Sequence, residues 1–245
     1  MTPGNGWTGE GTRSRYGGCG AGSSRRSRDG DLATARNLQK LMLRSWSNTL
    51  LSVRQVTQRN TGRRTAGVDG RVALTSQARA EVAVQVHATR SSWQPPPVRR
   101  VYRPKAGDTT KMRPLGIPVI TDRCHQARVR NALEPQWEAR FEPRSYGFRP
   151  GRGCHDAIES LFNTLRGNAK RVWILDADLA GAFDNIDHEH LLAMIGDFPA
   201  RGLVAGWLNA GVFEDKTGFS PTEAGTPLLS VALDDDLAVW RRRVA

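Results

Sequence analysis

Residues 174–188 read ILDADLAGAFDNIDH, and this stretch decides how the rest of the chain is interpreted. It continues an apolar run that starts at Val172, and this run predicts a buried strand over residues 171–178. Such a strand delivers carboxylates to its end, among them that of Asp178. Hard oxygen ligands at a strand end suit Mg²⁺, which binds one or two carboxylates together with substrate phosphates. Asp184 and Asp187 have a simpler interpretation, as a turn residue and a helix cap.

Charge is distributed unevenly along the 245 residues, whose formal net charge is +12. Residues 1–150 contain 27 Lys and Arg against 10 Asp and Glu, a net charge of +17, and residues 151–245 contain 9 against 14, a net charge of −5. A basic first half suits a polyanion, and a mildly acidic second half suits carboxylates around a metal ion. The composition is equally compatible with a first half that is merely basic and soluble.

Composition excludes several classes of protein. No apolar run approaches the roughly 18–20 residues that a membrane span needs, so we expect no integral membrane protein. Residues 1–30 are rich in Gly, Ser and Arg, which predicts a disordered basic tail without the apolar core of a signal peptide. The three cysteines are far apart and form no Cys-x-x-Cys pair. A disulfide framework and a zinc finger are therefore not expected, and the reducing cytoplasm is the expected location.

Apolar spacing predicts most of the helices. Apolar residues recur at every third or fourth position from Asp31 to Arg59, which predicts a helix, and Asn60 and Gly62 end this helix. The Gly67 to Gly70 segment, GVDG, predicts a turn. The further predictions are a helix capped by Thr75, a hairpin over residues 98–117, a helix over 121–140 capped by Thr121, a helix over 154–165, a helix to Ile195 capped by Asp187, and helical structure over 199–212.

Two basic segments are candidates for contacts with phosphates. The predicted hairpin, RRVYRPKAGDTTKMRPLGIP over residues 99–118, carries Arg and Lys side chains that can close over a triphosphate or a nucleic-acid backbone. Residues 145–152, SYGFRPGR, combine two glycines that allow close approach, two arginines that bind phosphates and two aromatic rings that stack on bases. The alternatives are an exposed basic ribbon for the first segment and core-filling aromatic rings for the second.

Taken in order, five motifs resemble the reverse transcriptases of group II introns, the maturase-type intron-encoded proteins. They are GVDG, RPLGIP, SYGFRPGRGCHDAI, ILDADLAGAFDNIDH and TEAGTP, and the resemblance covers roughly residues 31–227. It implies an α+β right-hand polymerase. After the disordered basic tail that composition predicts over 1–30, the implied parts are an N-terminal helical extension over 31–70, fingers over 71–170 and a partial palm over 171–245.

The resemblance also implies roles for particular residues of the acidic half. Asp178 matches the first catalytic carboxylate of the palm, and the carbonyl of Leu179 would share its metal ion, Mg²⁺. Phe183 matches the bulky residue that screens out a ribose 2′-hydroxyl by occupying its space.

The matching residues of the basic half are all cationic. Lys105 and Arg113 match fingers residues that hold the incoming triphosphate, and Arg149 and Arg152 lie in the loop that approaches template and primer. The implied activity is RNA-directed DNA synthesis, the transfer of nucleotides from dNTPs onto a primer 3′-hydroxyl. The implied partners are intron RNA, an RNA template, a DNA primer and dNTPs.

The chain also departs from the family pattern. Pro227 is followed directly by Leu228, so the Gln-Gly-Gly segment of the family is missing, as is the Tyr-Ala-Asp-Asp segment with the other catalytic carboxylates. The three aspartates from Asp234 to Asp236 are not expected to replace them. We therefore expect a truncated family member that is inactive alone. The alternatives are a fragment that binds RNA and assists splicing without catalysis, and a non-functional pseudogene product; the oligomeric state and any complementing second chain stay open.

Overall fold

The computed structural model describes residues 31–105, 108–167, 173, 175–176, 185–214 and 217–221, without the side chains of residues 105, 108 and 109. Within these residues the fold is mixed α/β, with seven α-helices and one four-stranded sheet. The elements are α1 Leu32–Arg44, α2 Trp46–Arg54, α3 Ser76–Ala88, β1 Val98–Lys105, β2 Asp108–Ile117, α4 Ile120–Glu138, α5 Cys154–Leu165, α6 His188–Ile195, α7 Arg201–Leu208, β3 Val212–Glu214 and β4 Gly218–Ser220.

The long helix that apolar spacing predicts from Asp31 is interrupted at Ser45. This residue has ψ 130°, and its Oγ accepts a hydrogen bond from the backbone N–H of Asn48, so it ends α1 and caps α2 at once. Helical structure then continues beyond Arg54 as one π-helical segment, Gln55–Arg59, and the chain leaves it at Asn60 as predicted. A serine that serves as a cap thus divides an otherwise continuous apolar stripe.

Helix α4 is the central element, because two hydrophobic clusters pack on it. Ile120, Cys124 and Ala127 face a cluster with residues of α2, the π-helical segment and α3. Val129 and Ala132 face a second cluster with Met42 of α1 and with Phe198 and Trp207 near and on α7. Every residue from Ile120 to Val129 is consequently buried.

Burial on all sides makes the polar side chains of α4 structural. Arg123 donates from Nε to the Pro118 carbonyl at 2.9 Å, and its two terminal nitrogens donate to the carbonyls of Gly62 and Thr65. It thereby holds the chain after α2 against the start of α4. The adjoining turn also needs a glycine, since a Cβ on Gly67 would lie 2.6 Å from the backbone N of Val119.

The sheet has the strand order β2-β1-β3-β4. Strands β1 and β2 form an antiparallel hairpin, and β3 pairs parallel to the start of β1, with Val98 opposite Val212. Strand β4 returns antiparallel to β3. Gly211 has φ 74°, and a Cβ there would lie 2.5 Å from the Phe219 ring, so the chain can enter β3 only with glycine at this position.

Several local predictions are confirmed. Thr75 caps α3 by accepting from Ala78 N, Asp187 caps α6 by accepting from His190 N, and α5 has the predicted bounds. The hairpin and the turn between Gly67 and Gly70 are also present.

Two further predictions are wrong, and a third is contradicted at the two positions that the structure describes. Thr121 is not a cap, because α4 starts one residue earlier, after Val119, and buries Thr121 inside its first turn. The predicted helical run over 199–212 ends at Leu208, since Gly211 turns the chain into β3. The strand predicted over 171–178 lies largely outside the described residues. Trp173 and Leu175, which are described, are 93% and 90% exposed and belong to no strand, so they lack the predicted burial.

Within the described part of the chain, we find no helix of sufficient length and hydropathy to cross a membrane.

Candidate nucleic-acid interface

The β1–β2 hairpin places two arginines directly opposite each other. Arg103 pairs with Arg113 across the strands, and directly opposed residues share one face of a hairpin. Both side chains are exposed, and neither has a hydrogen bond or an ion pair within the described residues. Like charges in directly opposite positions destabilise a strand pair. An anion between the two guanidinium groups would reverse the sign of this interaction.

The opposite face of the hairpin is held by a carboxylate. Tyr102 donates its hydroxyl hydrogen to Oε1 of Glu214 at 2.8 Å, and Arg100 forms an ion pair with the same carboxylate at 3.5 Å. Thr217 donates to Oε2 at 3.0 Å. The Tyr102 hydrogen bond is the main cause that lowers the pKa of Glu214 below its ordinary value. These contacts tie β1 to β3 and leave the Arg103 face open.

Lys105 lies at the end of β1, where the register shifts after Pro104 and Lys105 pairs with Asp108. This position puts its backbone at the tip of the hairpin, two residues beyond Arg103. Its side chain is outside the described part of the structure.

Arg149 is a nearly buried residue that organises its own loop. Its Nε and Nη2 donate to the carboxylate of Glu138, the shortest of these bonds being 2.6 Å. Its Nη1 donates to the carbonyls of Glu142 and Ser145 at 2.6 and 3.1 Å. The hydrogen bond with Glu138 raises the pKa of Arg149 above its usual value. The guanidinium also lies 5.4 Å from the ring centroid of Phe141.

Arg152 shares this loop but is half-exposed. Its Nη1 donates to the carbonyls of Pro143 and Ser145, and its guanidinium lies 5.6 Å from the ring centroid of Tyr146. Both loop arginines therefore bind the Ser145 carbonyl. Phe148 between them adopts φ 57°, an unusual conformation for a residue other than glycine, and its ring is exposed.

The three residues implied for the palm, Asp178, Leu179 and Phe183, lie outside the described residues, as does the TEAGTP motif. Reverse transcriptases generally use a divalent metal ion. No group of three or more His, Cys, Asp or Glu side chains that could bind a metal ion occurs among the residues that the structure describes. The three palm residues are therefore placed by sequence alone, whereas the structure describes the hairpin and the Arg149 loop.

Sequence reasoning missed two residues of this interface. Arg103 was missed because its significance lies in its pairing with Arg113 across the two strands. The alternating pattern of the hairpin sequence, together with the position of the turn, could have predicted this pairing. Glu214 lies 111 positions beyond Arg103 and carries no motif, so nothing local indicated that it anchors the hairpin.

Comparison with protein families matches two segments of the chain. Residues 24–86 match the family described as the N-terminal domain of reverse transcriptase. Residues 103–228, just over half of the chain, match the family described as reverse transcriptase (RNA-dependent DNA polymerase). The second segment includes the hairpin from Arg103 onward and the whole Arg149 loop.

Similar proteins include Protein YkfC of Escherichia coli, 36% identical over 172 residues, which are 68% of this chain and 44% of the relative. Group II intron-encoded protein LtrA of Lactococcus lactis is 41% identical over 140 residues, 56% of this chain and 22% of the relative. Maturase-like protein 1 of Euglena gracilis is 32% identical over 164 residues, 63% of this chain and 34% of the relative. The matched region thus spans less than half the length of each of these relatives.

Proposed function

Because the chain belongs to the reverse transcriptase family, with a group II intron-encoded protein and intron maturases among its relatives, we propose that it binds RNA as the fingers and first palm segment of a group II intron reverse transcriptase/maturase. In this proposal residues 31–70 form the N-terminal extension, 71–170 the fingers and 171–245 the start of the palm, with residues 1–30 as a basic tail. The observation that carries it is the open pair of opposed arginines, Arg103 and Arg113, on a hairpin that the family match includes.

The proposed role of the hairpin is to hold phosphates. The guanidinium group is planar and donates two parallel hydrogen bonds to a phosphate, and two such groups facing each other across β1 and β2 form a clamp of one charge sign. Lys105 at the hairpin tip would add a third, compact positive charge. The ligand phosphates are those of the incoming dNTP in a complete polymerase and those of the RNA strand otherwise.

The proposed reaction of the complete site is nucleotidyl transfer. The primer 3′-hydroxyl attacks the α-phosphorus of the dNTP, the new phosphodiester bond forms, and pyrophosphate leaves. Asp178 and the Leu179 carbonyl would hold Mg²⁺, which supplies charge stabilisation at the phosphates when bound. Phe183 would exclude a ribose 2′-hydroxyl by occupying its space.

Arg149 acts indirectly in this proposal. Its forked hydrogen bonds to Glu138 and to two carbonyls fix residues 142–149, and the half-exposed Arg152 is then presented on a rigid loop. Arg152 is the loop residue that we propose to contact template or primer.

RNA binding tests the proposal. We expect the full chain to bind a structured RNA at low salt, with an affinity that falls steeply as salt is raised, because phosphate contacts release counterions. The double variant Arg103→Ala/Arg113→Ala should bind roughly tenfold or more weakly and show a salt slope reduced by about 2, one for each lost phosphate contact. Arg64→Ala/Arg71→Ala, which removes two exposed arginines outside the hairpin, is the matched control. Equal losses in both double variants, or no binding at low salt, would overturn the proposal.

A primer-extension assay tests the catalytic part separately. These 245 residues contain no Tyr-Ala-Asp-Asp segment, and a single matching carboxylate cannot hold two metal ions in polymerase geometry. We therefore expect no cDNA from this polypeptide alone, and RNA binding without catalysis is the activity expected of it. Mg²⁺-dependent cDNA synthesis that Asp178→Asn abolishes would contradict this expectation.

A further inference from the structure

An open cavity of about 920 Å³ lies beside the second hydrophobic cluster, whose residue Val129 lines it. Helix α1 lines it with Lys40 and Arg44, the segment after α3 with Arg90 and Trp93, and helix α4 with Arg128. None of the described lining residues is acidic. The cavity thus collects four cationic side chains without a carboxylate among them.

The hydrogen bonds of these cations leave their charge uncompensated. Arg128 donates to the Leu43 carbonyl and contacts Nδ1 of His125 at 3.0 Å. Arg90 donates to the His87 carbonyl at 2.7 Å. All of these acceptors are neutral groups, and no ion pair of Lys40, Arg44, Arg90 or Arg128 occurs within the described residues.

The buried cation of α4 provides the second observation. Only 1% of Arg128 is exposed, and its Nε is buried without a hydrogen-bond partner among the described residues. Since so little of the side chain is exposed, Arg128 contributes positive charge to the cavity wall rather than a hydrogen bond to a ligand. Burial and the neighbouring Arg90 lower the pKa of Arg128 to about 10, which leaves it charged at neutral pH.

The helix on the far side of the cavity presents a positive end. Helix α7 begins after Ala200, whose side chain cannot cap it, and Ala200 and Gly202 both line the cavity. The first amide groups of a helix favour anions. Trp93 fixes the rim, since its Nε1 donates to Asp122 at 2.7 Å and its ring stacks on His125 at 5.0 Å.

We propose that the cavity between α1, α4 and α7 binds a phosphate-bearing anion, which the exposed Arg90 binds directly while Lys40, Arg44, the buried Arg128 and the start of α7 neutralise its charge. The volume exceeds that of a single phosphate and accommodates a pyrophosphate or a phosphodiester segment. The phosphate comes either from a free pyrophosphate or from the backbone of a nucleic-acid strand. This site is independent of the hairpin and of the proposed polymerase role.

Calorimetric titration of the full chain at low salt tests the site, with inorganic pyrophosphate in one arm and a single-stranded RNA dodecamer in the other. Arg90→Ala removes one exposed cation. Gly202→Glu adds a negative charge at a position where a Cβ meets nothing within 4 Å, so it should fold normally. We expect each variant to weaken binding about tenfold, the scale of one charge-assisted hydrogen bond.

Two matched controls separate this effect from net charge and from bulk. Arg71→Ala removes an exposed cation elsewhere, and Gly202→Gln adds the same bulk as Gly202→Glu without its charge. Both should change affinity less than about twofold. Loss of pyrophosphate binding in the cavity variants identifies a free phosphoanion as the source, and loss confined to the RNA arm identifies a strand. Absence of binding in both arms, or equal losses in the controls, overturns the proposal.

Discussion

The β1–β2 hairpin and the first half of α4 are both rich in charge, but they use it in opposite ways. On the hairpin, Arg103 and Arg113 are exposed, opposed to each other and without partners among the described residues. On α4, Arg123 is buried and donates to three carbonyls, and the Asp122 carboxylate accepts from three side chains. Arginine therefore serves the fold on α4, and on the hairpin it is free to bind the anionic ligand that we propose.

This difference distinguishes arginines that stabilise the fold from arginines that are available to a ligand. Satisfied, buried charge marks positions where the fold would suffer from a substitution, since its partners would be left unpaired. Exposed side chains of like charge that strand pairing places opposite each other do not stabilise the fold. Such positions are candidates for an anionic ligand. Three predictions test this division, followed by one direct measurement.

The largest effect is expected at Arg123. Arg123→Met leaves the buried Pro118 carbonyl and the partly buried carbonyl bonds of Gly62 and Thr65 without their donor, and we expect a loss of about 3 kcal/mol in the free energy of unfolding. Arg113→Met should change it by no more than about 0.5 kcal/mol. Urea denaturation of both variants provides the measurement. Similar losses in the two variants would abolish the distinction between the regions.

The second effect is the pH dependence contributed by Asp122. Its Oδ1 accepts from Nε1 of both Trp93 and Trp207 at 2.7 Å, and its Oδ2 accepts from Gln126 at 3.0 Å. Burial nevertheless outweighs these bonds and raises the pKa from 3.8 to about 6. The folded state thus binds this proton more tightly than the unfolded state, so the contribution to stability is greatest below about pH 4 and falls as the pH rises through about 6.

Asp122→Asn keeps the acceptor for the two indoles and removes the titration. The whole shift corresponds to about 3 kcal/mol at 1.36 kcal/mol per unit. Part of it falls below pH 4, so the free energy of unfolding of the natural chain minus that of the variant should fall by roughly 2 kcal/mol between pH 4 and pH 7. Denaturation curves of both proteins across this range supply the difference. A difference that stays flat with pH would show that burial does not raise the pKa of Asp122.

The smallest effect concerns the anchored face of the hairpin. Tyr102→Phe removes the hydrogen bond that lowers the pKa of Glu214 most, so this pKa should rise toward its ordinary value. Titration of the Glu214 side chain by NMR measures the change. Arg103→Ala, on the other face, is the control and should leave the Glu214 pKa where it is. A rise of the same size in the control would mean that the two faces are not independent.

Sequence reasoning recovers the parts of the fold that local chemistry decides. The cap at Thr75, the bounds of α5 and the hairpin follow from side-chain capping, apolar period and turn residues that lie within a few positions of each other. The family assignment follows likewise from five short motifs in order. Arg113 belongs to this group, because its place on the returning strand of a hairpin follows from the turn before it.

What sequence reasoning could not supply depends on contacts between distant segments. Helix α4 has weak apolar periodicity because it is buried on both sides, so Arg123 and Arg128 look like ordinary surface residues in the sequence. The carbonyls that Arg123 satisfies lie 58 and 61 positions away for Thr65 and Gly62. The inward role of Arg149 depends in the same way on Glu138, 11 positions before it.

The coupling between Arg103 and Arg113 tests the central claim most directly. A double-mutant cycle with Arg103→Ala and Arg113→Ala, measured as free energies of unfolding with and without saturating RNA, isolates the interaction of the two side chains. Without RNA the account predicts a repulsive coupling of roughly 0.5 kcal/mol, the scale of directly opposed like charges. With RNA bound it predicts a coupling of the opposite sign, because both guanidinium groups then hold the same phosphates. A coupling that keeps its sign and size when RNA is added would contradict the account.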